Sequence, residues 1–181
     1  MRRALAGMVV GIAGAVGLAP LAAGADESGT HLGLMFGRSE QVGSLGSRYD
    51  LGWTFGIEAG WIPTWAGFVW SVSYTYYAAS DGRDPIQKLT LWDFGMSLRG
   101  RALLRRTGIP IFGYGQVGVA LLRASSALPP DDSDTFVGPK AGLGIEAAWS
   151  SVYLGFEADY SLLTGGPSGL MILARIGFGQ F

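Results

Sequence analysis

The chain has no cysteine. Neither a disulfide framework nor a thiolate metal site is available to it, and a lipid-modified N-terminal cysteine is excluded. Histidine is almost missing too, His31 being the only one. Charge is scarce. Asp, Glu, Lys and Arg make up 15% of the residues, where a soluble domain carries about 25%. Thirteen basic side chains stand against fourteen acidic ones, so nothing in the balance points to nucleic acid. Beyond the first 25 residues no apolar run approaches the ~20 residues of a membrane helix.

What the chain has instead is glycine and aromatic rings: 30 Gly, six Trp, nine Phe and seven Tyr in 181 residues, a length that suits one domain. It opens MRRALAGMVVGIAGAVGLAPLAAGADES. Arg2 and Arg3 precede an apolar stretch from Ala4 to Ala19, Pro20 breaks it, and Ala23-Gly24-Ala25 supplies small residues before Asp26. This predicts a secretory signal peptide over 1–25, cut after Ala25, and a remaining domain over 26–181. With no helix of membrane length after it, that domain could enter a membrane only as a closed β-barrel.

The segment FVWSVSYTYYA, residues 68–78, alternates strictly. Phe68, Trp70, Val72, Tyr74 and Tyr76 share one parity, and Ser71, Ser73 and Thr75 the other. A period of two is a β-strand with unlike faces. The pattern recurs eight times, predicting strands near 30–38, 52–62, 68–78, 88–99, 110–122, 136–149, 152–163 and 170–181. Most are close to the ~9–11 residues of a tilted transmembrane strand. The connections SEQVGSLGSRYDL, SDGRDPIQ, ASSALPPDDSDT and GGPSG hold most of the turn punctuation. They alternate with PTWAG, the basic GRALLRRTG and Ser150-Ser151. Longer outer loops alternating with short inner turns is the arrangement of an outer-membrane barrel.

Eight charges within these strands take the parity of the glycines and serines: Glu58, Asp93, Arg99, Lys140, Glu146, Glu157, Asp159 and Arg175. The opposite parity carries Leu34, Phe36, Phe55, Trp70, Phe94, Val119, Phe156 and Ile176, among others. Volume decides which face is inside. The bore of an eight-stranded barrel is just wide enough to be filled by side chains, and the aromatic parity is too bulky for it. The rings therefore point outward, and a girdle that size far exceeds the apolar patch a soluble protein exposes. Lipid is the simplest partner. Aromatic girdles are predicted near the inner ends at Trp61, Trp65, Trp149 and Tyr153. At the outer ends they are predicted at Tyr49, Trp53, Tyr74, Tyr76, Trp92 and Tyr160.

With this architecture, and with a chain ending in Phe181, residues 26–181 resemble the OmpA/OmpX-like small outer-membrane β-barrel family. The resemblance implies an all-β, eight-stranded antiparallel up-and-down transmembrane β-barrel in the outer membrane of a Gram-negative envelope. It further implies outer-membrane lipid as partner, a monomer, and Phe181 as the signal read by the barrel-assembly machinery during biogenesis. The family usually places an aromatic residue two positions before that Phe. Here the position is Gly179, with Phe178 one step off, and a bulge in the last strand would restore the match.

Lys140, Glu157, Asp159 and Arg175 fall on neighbouring predicted strands. They predict a salt-bridged interior plug, since charge away from water needs partners; the alternative is that they line water. Five acidic groups against three basic ones leave an imbalance that a protonated carboxylate or entering water would relieve. His31 reads as an ordinary rim histidine, and the pair Glu157 and Asp159 as structural rather than acid–base. Asp131, Asp132 and Asp134 read as a solvated loop tip rather than a calcium site. GRALLRRTG reads as a solvated basic turn, with contact to anionic headgroups as the alternative. Gly-rich pieces such as GLGI do not open helices, so a phosphate loop is excluded. No catalytic residue, metal or cofactor is implied. The predicted role is structural, in envelope integrity or surface contact with an extracellular partner through the loops. A narrow channel for ions or small solutes is the alternative, and a lipid-modifying enzyme is a weaker third reading.

Overall fold

The structure, a computed structural model, describes residues 29–42, 50–63, 65–78, 89–106, 108–126, 133–164 and 168–179. The predicted leader at 1–25, Tyr49, Asp131, Asp132 and Phe181 lie outside the described residues. Eight strands follow in order: β1 (Thr30–Val42), β2 (Gly52–Trp61), β3 (Ala66–Tyr77), β4 (Leu89–Arg105), β5 (Ile111–Ser126), β6 (Ser133–Trp149), β7 (Val152–Ser161) and β8 (Ser168–Gly179). Each pairs antiparallel with the next, and β8 pairs with β1, so the sheet closes into a barrel and no strand is left as an edge. β1 starts and β8 finishes at the end of the barrel that carries the short connections at 62–65, 106–110 and 150–151. This is the turn end; the opposite end is the loop end. At the turn end Trp149 pairs with Val152 across a two-residue hairpin, in which Ser150 takes a φ of 53°.

The faces sort by volume as the alternation requires. Trp70, Phe94 and Phe156 are 49%, 44% and 66% exposed, while Glu157 and Arg175 are 3% and 2% exposed. The outer surface is a continuous apolar belt in which Phe36 stacks on Trp53 at 5.3 Å and Tyr74 meets Trp92 at 5.1 Å. The bore is less uniformly polar than a glycine, serine and charge face suggests. Toward the loop end Tyr77, Leu89, Leu91, Ala120, Leu122 and Leu163 pack together inside, and Met35, Met171 and Leu173 form a second cluster. Charge occupies mainly the turn-end half.

Three features differ from or refine the sequence reading. The basic segment after Gly100 is not a turn: β4 continues to Arg105. Residues 101–106 contain no glycine or proline, so nothing stops the strand until Thr107-Gly108, where Gly108 takes a φ of 80°. β4 and β5 slip register between Leu103 and Arg105, leaving Leu104 as a bulged residue. Second, β8 keeps one register with both neighbours through the described residues, so it has no bulge up to Gly179 and Phe178 faces outward, 67% exposed. Third, Tyr153 is not a girdle residue. It is fully buried, because it shares the parity of Glu157 and Asp159 on β7 and so points into the bore.

Candidate functional site

The candidate site is the charged interior. Six strands supply it: Glu58 from β2, Arg99 from β4, Tyr114 and Gln116 from β5, Lys140 and Glu146 from β6, Tyr153, Glu157 and Asp159 from β7, and Arg175 from β8. Every one of these residues is at most 5% exposed. They reach one another because glycines stand between them in register. Tyr114 pairs with Gly144, which pairs with Glu157, and Gln116 pairs with Gly142, which pairs with Asp159. With no side chain on β6 in those two rows, the Tyr114 hydroxyl donates to Glu157 Oε2 at 2.7 Å. Gln116 Nε2 donates to Asp159 Oδ1 at 2.8 Å and to Glu157 Oε1 at 2.9 Å. A longer row runs Tyr153, Gly177, Gly33, Glu58 across β7, β8, β1 and β2. The Tyr153 hydroxyl passes over both glycines and donates to Glu58 Oε1 at 2.9 Å. A Cβ at Gly177 would sit 2.6 Å from that hydroxyl and 2.7 Å from Gly33 Cα.

Arg99 is the hub. Its Nη2 lies 3.0 Å from Glu58 Oε2 and 3.2 Å from Glu157 Oε2, and its Nε and Nη2 donate to Gln116 Oε1 at 2.9 and 2.8 Å. The planar guanidinium serves several acceptors at once, which an ammonium at this position could not match. It also lies 4.5 Å from the centre of the Tyr114 ring. Arg175 pairs with Glu58, donates to the Tyr114 hydroxyl, and stands 3.4 Å from Glu157 and 3.7 Å from Glu146. Lys140 Nζ pairs with Asp159 Oδ2 at 2.9 Å. Seven of the eight charges on the polar parity therefore join one network. Asp93 is the exception: it is buried, and among the described residues neither of its oxygens has a hydrogen-bond partner.

His31 and Tyr153 also belong to this interior, although the sequence reading puts His31 at the rim and Tyr153 in the inner girdle. The His31 side chain is 6% exposed, with Nε2 3.5 Å from Glu58 Oε1. The sequence signal for both was parity. His31 is in phase with Gly33 and Gly37 on β1, and Tyr153 is in phase with Glu157. The predicted girdle residues other than Tyr153 lie outward. Trp53, Trp61, Trp65, Trp92 and Trp149 are exposed, and Tyr74, Tyr76 and Tyr160 are half-buried. Register sets Trp53 beside Tyr76 and Tyr74 beside Trp92 at the loop end. A cavity of about 10 Å3 at the turn end is lined by Gly29, His31, Ile62, Arg99, Arg101, Glu146 and Tyr153. Another of about 10 Å3 lies in the loop-end half. Arg99, Gln116 and Glu157 fill the bore between them. Among the described residues no group of three or more His, Asp or Glu is placed to hold a metal.

No family model and no curated protein matches the chain. Solved structures do. The chain is similar to Neisserial surface protein A, at 22% identity and a TM-score of 0.66, over 84% of this chain and 98% of that one. It is similar to the attachment invasion locus protein of Yersinia pestis, at 14% identity and a TM-score of 0.54, over 86% and 99%. The N-terminal β-barrel domain of Pseudomonas aeruginosa OprF matches at 13% identity and a TM-score of 0.53, over 86% and 99%. The closed eight-stranded fold of small outer-membrane barrels is the fold of this chain.

Proposed function

We propose that the chain is a monomeric integral outer-membrane barrel whose interior is a strut, and whose role is envelope integrity or contact with an extracellular partner through the loops. The observation that carries this reading is the inversion of faces: apolar rings outside, and a cross-linked charge network filling the bore between two ion-sized cavities. A bore packed with side chains suits a scaffold better than a conduit. The name of the Yersinia neighbour, which refers to attachment and invasion, supports surface contact as the finer role. In this reading residues 1–25 direct export, Phe181 is read during assembly, and lipid surrounds the belt.

The test is conductance of the purified, refolded barrel in planar bilayers. The scaffold reading expects no steady current above the bare bilayer. A current that changes on Lys140→Ala or Arg175→Ala would transfer the assignment to a narrow channel, which the two cavities on one axis favour as the second reading. Carbonate extraction of cell envelopes checks membrane integration, and release of the protein would end both. For enzymatic action on lipid, the ring of His31 is turned into the bore at the turn end, away from the lipid-facing surface. His31→Ala is expected to leave the lipid A mass spectrum unchanged.

A further inference from the structure

The charge inside the barrel does not balance. In the turn-end half Glu58, Glu146 and Glu157 face Arg99 and Arg175, with the His31 ring beside Glu58 and Arg101 lining the turn-end cavity. Nearer the loop end Asp93 and Asp159 have one cation between them, Lys140, and its Nζ is committed to Asp159 at 2.9 Å. Asp93 is 4% exposed and, among the described residues, has neither an ion pair nor a hydrogen bond. Asp93 lines the loop-end cavity, whose polar side is made by Ser39, Gln41, Thr75, Tyr77 and Ser161 and whose apolar side is made by Leu91, Leu122 and Met171. Gln41 gives its amide N–H to the Tyr77 hydroxyl at 2.8 Å, and its carbonyl Oε1 is left buried without a donor. Three acceptor oxygens, two of them sharing a negative charge, thus belong to residues that line about 10 Å3 of free space, the room of one water or one bare ion. A water could donate to two of the three and would still leave the charge uncompensated. A buried carboxylate without a partner is costly.

We propose that this cavity binds a small monovalent metal cation of sodium size, held by the Asp93 carboxylate and the Gln41 carbonyl, with the Ser39, Thr75 and Ser161 hydroxyls around it. The carboxylate, amide and hydroxyl oxygens on its polar side suit a hard cation. A single carboxylate among neutral oxygens balances one positive charge, where a divalent ion would ask for more carboxylates than the cavity offers. The site tightens the loop-end half of the bore, where the strut of arginines does not reach. It depends only on which side chains face inward, so it stands whether or not the barrel conducts.

The test is the urea midpoint of the whole refolded barrel in an uncharged detergent, followed by tryptophan fluorescence. Sodium chloride is exchanged for N-methylglucamine chloride at constant ionic strength, the organic cation being too large for the cavity. A bound ion at about a hundred times its dissociation constant raises the folded-to-unfolded ratio about a hundredfold. The wild-type midpoint is expected to climb with sodium, and Asp93→Asn to abolish the climb. A wild-type midpoint indifferent to sodium overturns the proposal, since a proton or a shift of Lys140 would then compensate Asp93. An equal climb in wild type and Asp93→Asn overturns it too, because the ion would sit elsewhere. If Asp93→Asn does not refold, Gln41→Leu replaces it. A reduced sodium dependence in that variant supports the site, and an unchanged one overturns it.

Discussion

Arg99 binds three acceptor side chains at once, Glu58, Gln116 and Glu157, all of them buried in the bore. A buried pair of this kind contributes little compared with an apolar replacement of both sides, but breaking it strands a charge. Arg99→Met is therefore expected to destabilise the barrel by about 3–5 kcal/mol, read as a lower urea midpoint in micelles. Tyr153→Phe removes one donor to Glu58 and is expected to cost about 1–3 kcal/mol, with the outer aromatic belt unchanged in near-ultraviolet circular dichroism. Gly177→Ala tests the same bond from the other side. Its methyl group would collide with the Leu32 carbonyl oxygen, with the Tyr153 hydroxyl and with Gly33 Cα, so overpacking of about 1–3 kcal/mol is expected. Combined with Tyr153→Phe, which removes the hydroxyl in the way, the two losses should sum to less than their separate values. Additive losses would show that Gly177 is not keeping space for the tyrosine.

β4 shows how one element can serve two surroundings. Over Leu89–Arg99 it alternates between the apolar outer belt and the bore, with Trp92, Phe94, Met96 and Leu98 outward. Past Gly100 it has lost β3, whose pairing ends at Ala66, and continues beside β5 alone as a ribbon exposing Ala102, Leu103, Leu104 and Arg105. The two stretches should respond differently to the same substitution. Phe94→Arg places a charge on the lipid face well inside the belt and is expected to cost about 2–4 kcal/mol. Leu104→Arg lies beyond the rows that close the barrel and is expected to cost about 0–1 kcal/mol, as near an interface. Reversible urea titration in lipid vesicles checks both, and equal costs would mean that the membrane boundary is misplaced on β4. The extent of this strand was hidden in the sequence, because the arginines of GRALLRRTG resemble a solvated turn. The backbone signal was there: no turn residue occurs before Thr107-Gly108.

For the barrel as a whole, the network decides whether an eight-stranded closed sheet is solid or open. Removing Arg99, Gln116 and Glu157 together as alanines deletes the side chains that fill the bore between the turn-end and loop-end cavities. That triple variant, refolded with an unchanged far-ultraviolet spectrum, is expected to pass current in a planar bilayer where wild type does not. Silence would mean that the apolar cluster of Leu89, Leu91, Leu122 and Leu163 closes the bore by itself. The strand count, the two faces and the inward turn of all eight charges could be read along the chain, because side chains alternate with a period of two whatever their neighbours are. Even Tyr153 obeyed that rule; grouping it with the rim aromatics set its parity aside. Partnership could not be read this way. Tyr153 meets Glu58, 95 positions away, only because closure of β8 on β1 brings Gly177 and Gly33 into one row between them. Asp93 looks in the sequence like any other inward carboxylate, yet is left without a donor because Lys140 is taken by Asp159. Local alternation fixes direction within a strand. Register between strands, and so which charge is answered and which is not, is set only when the sheet closes.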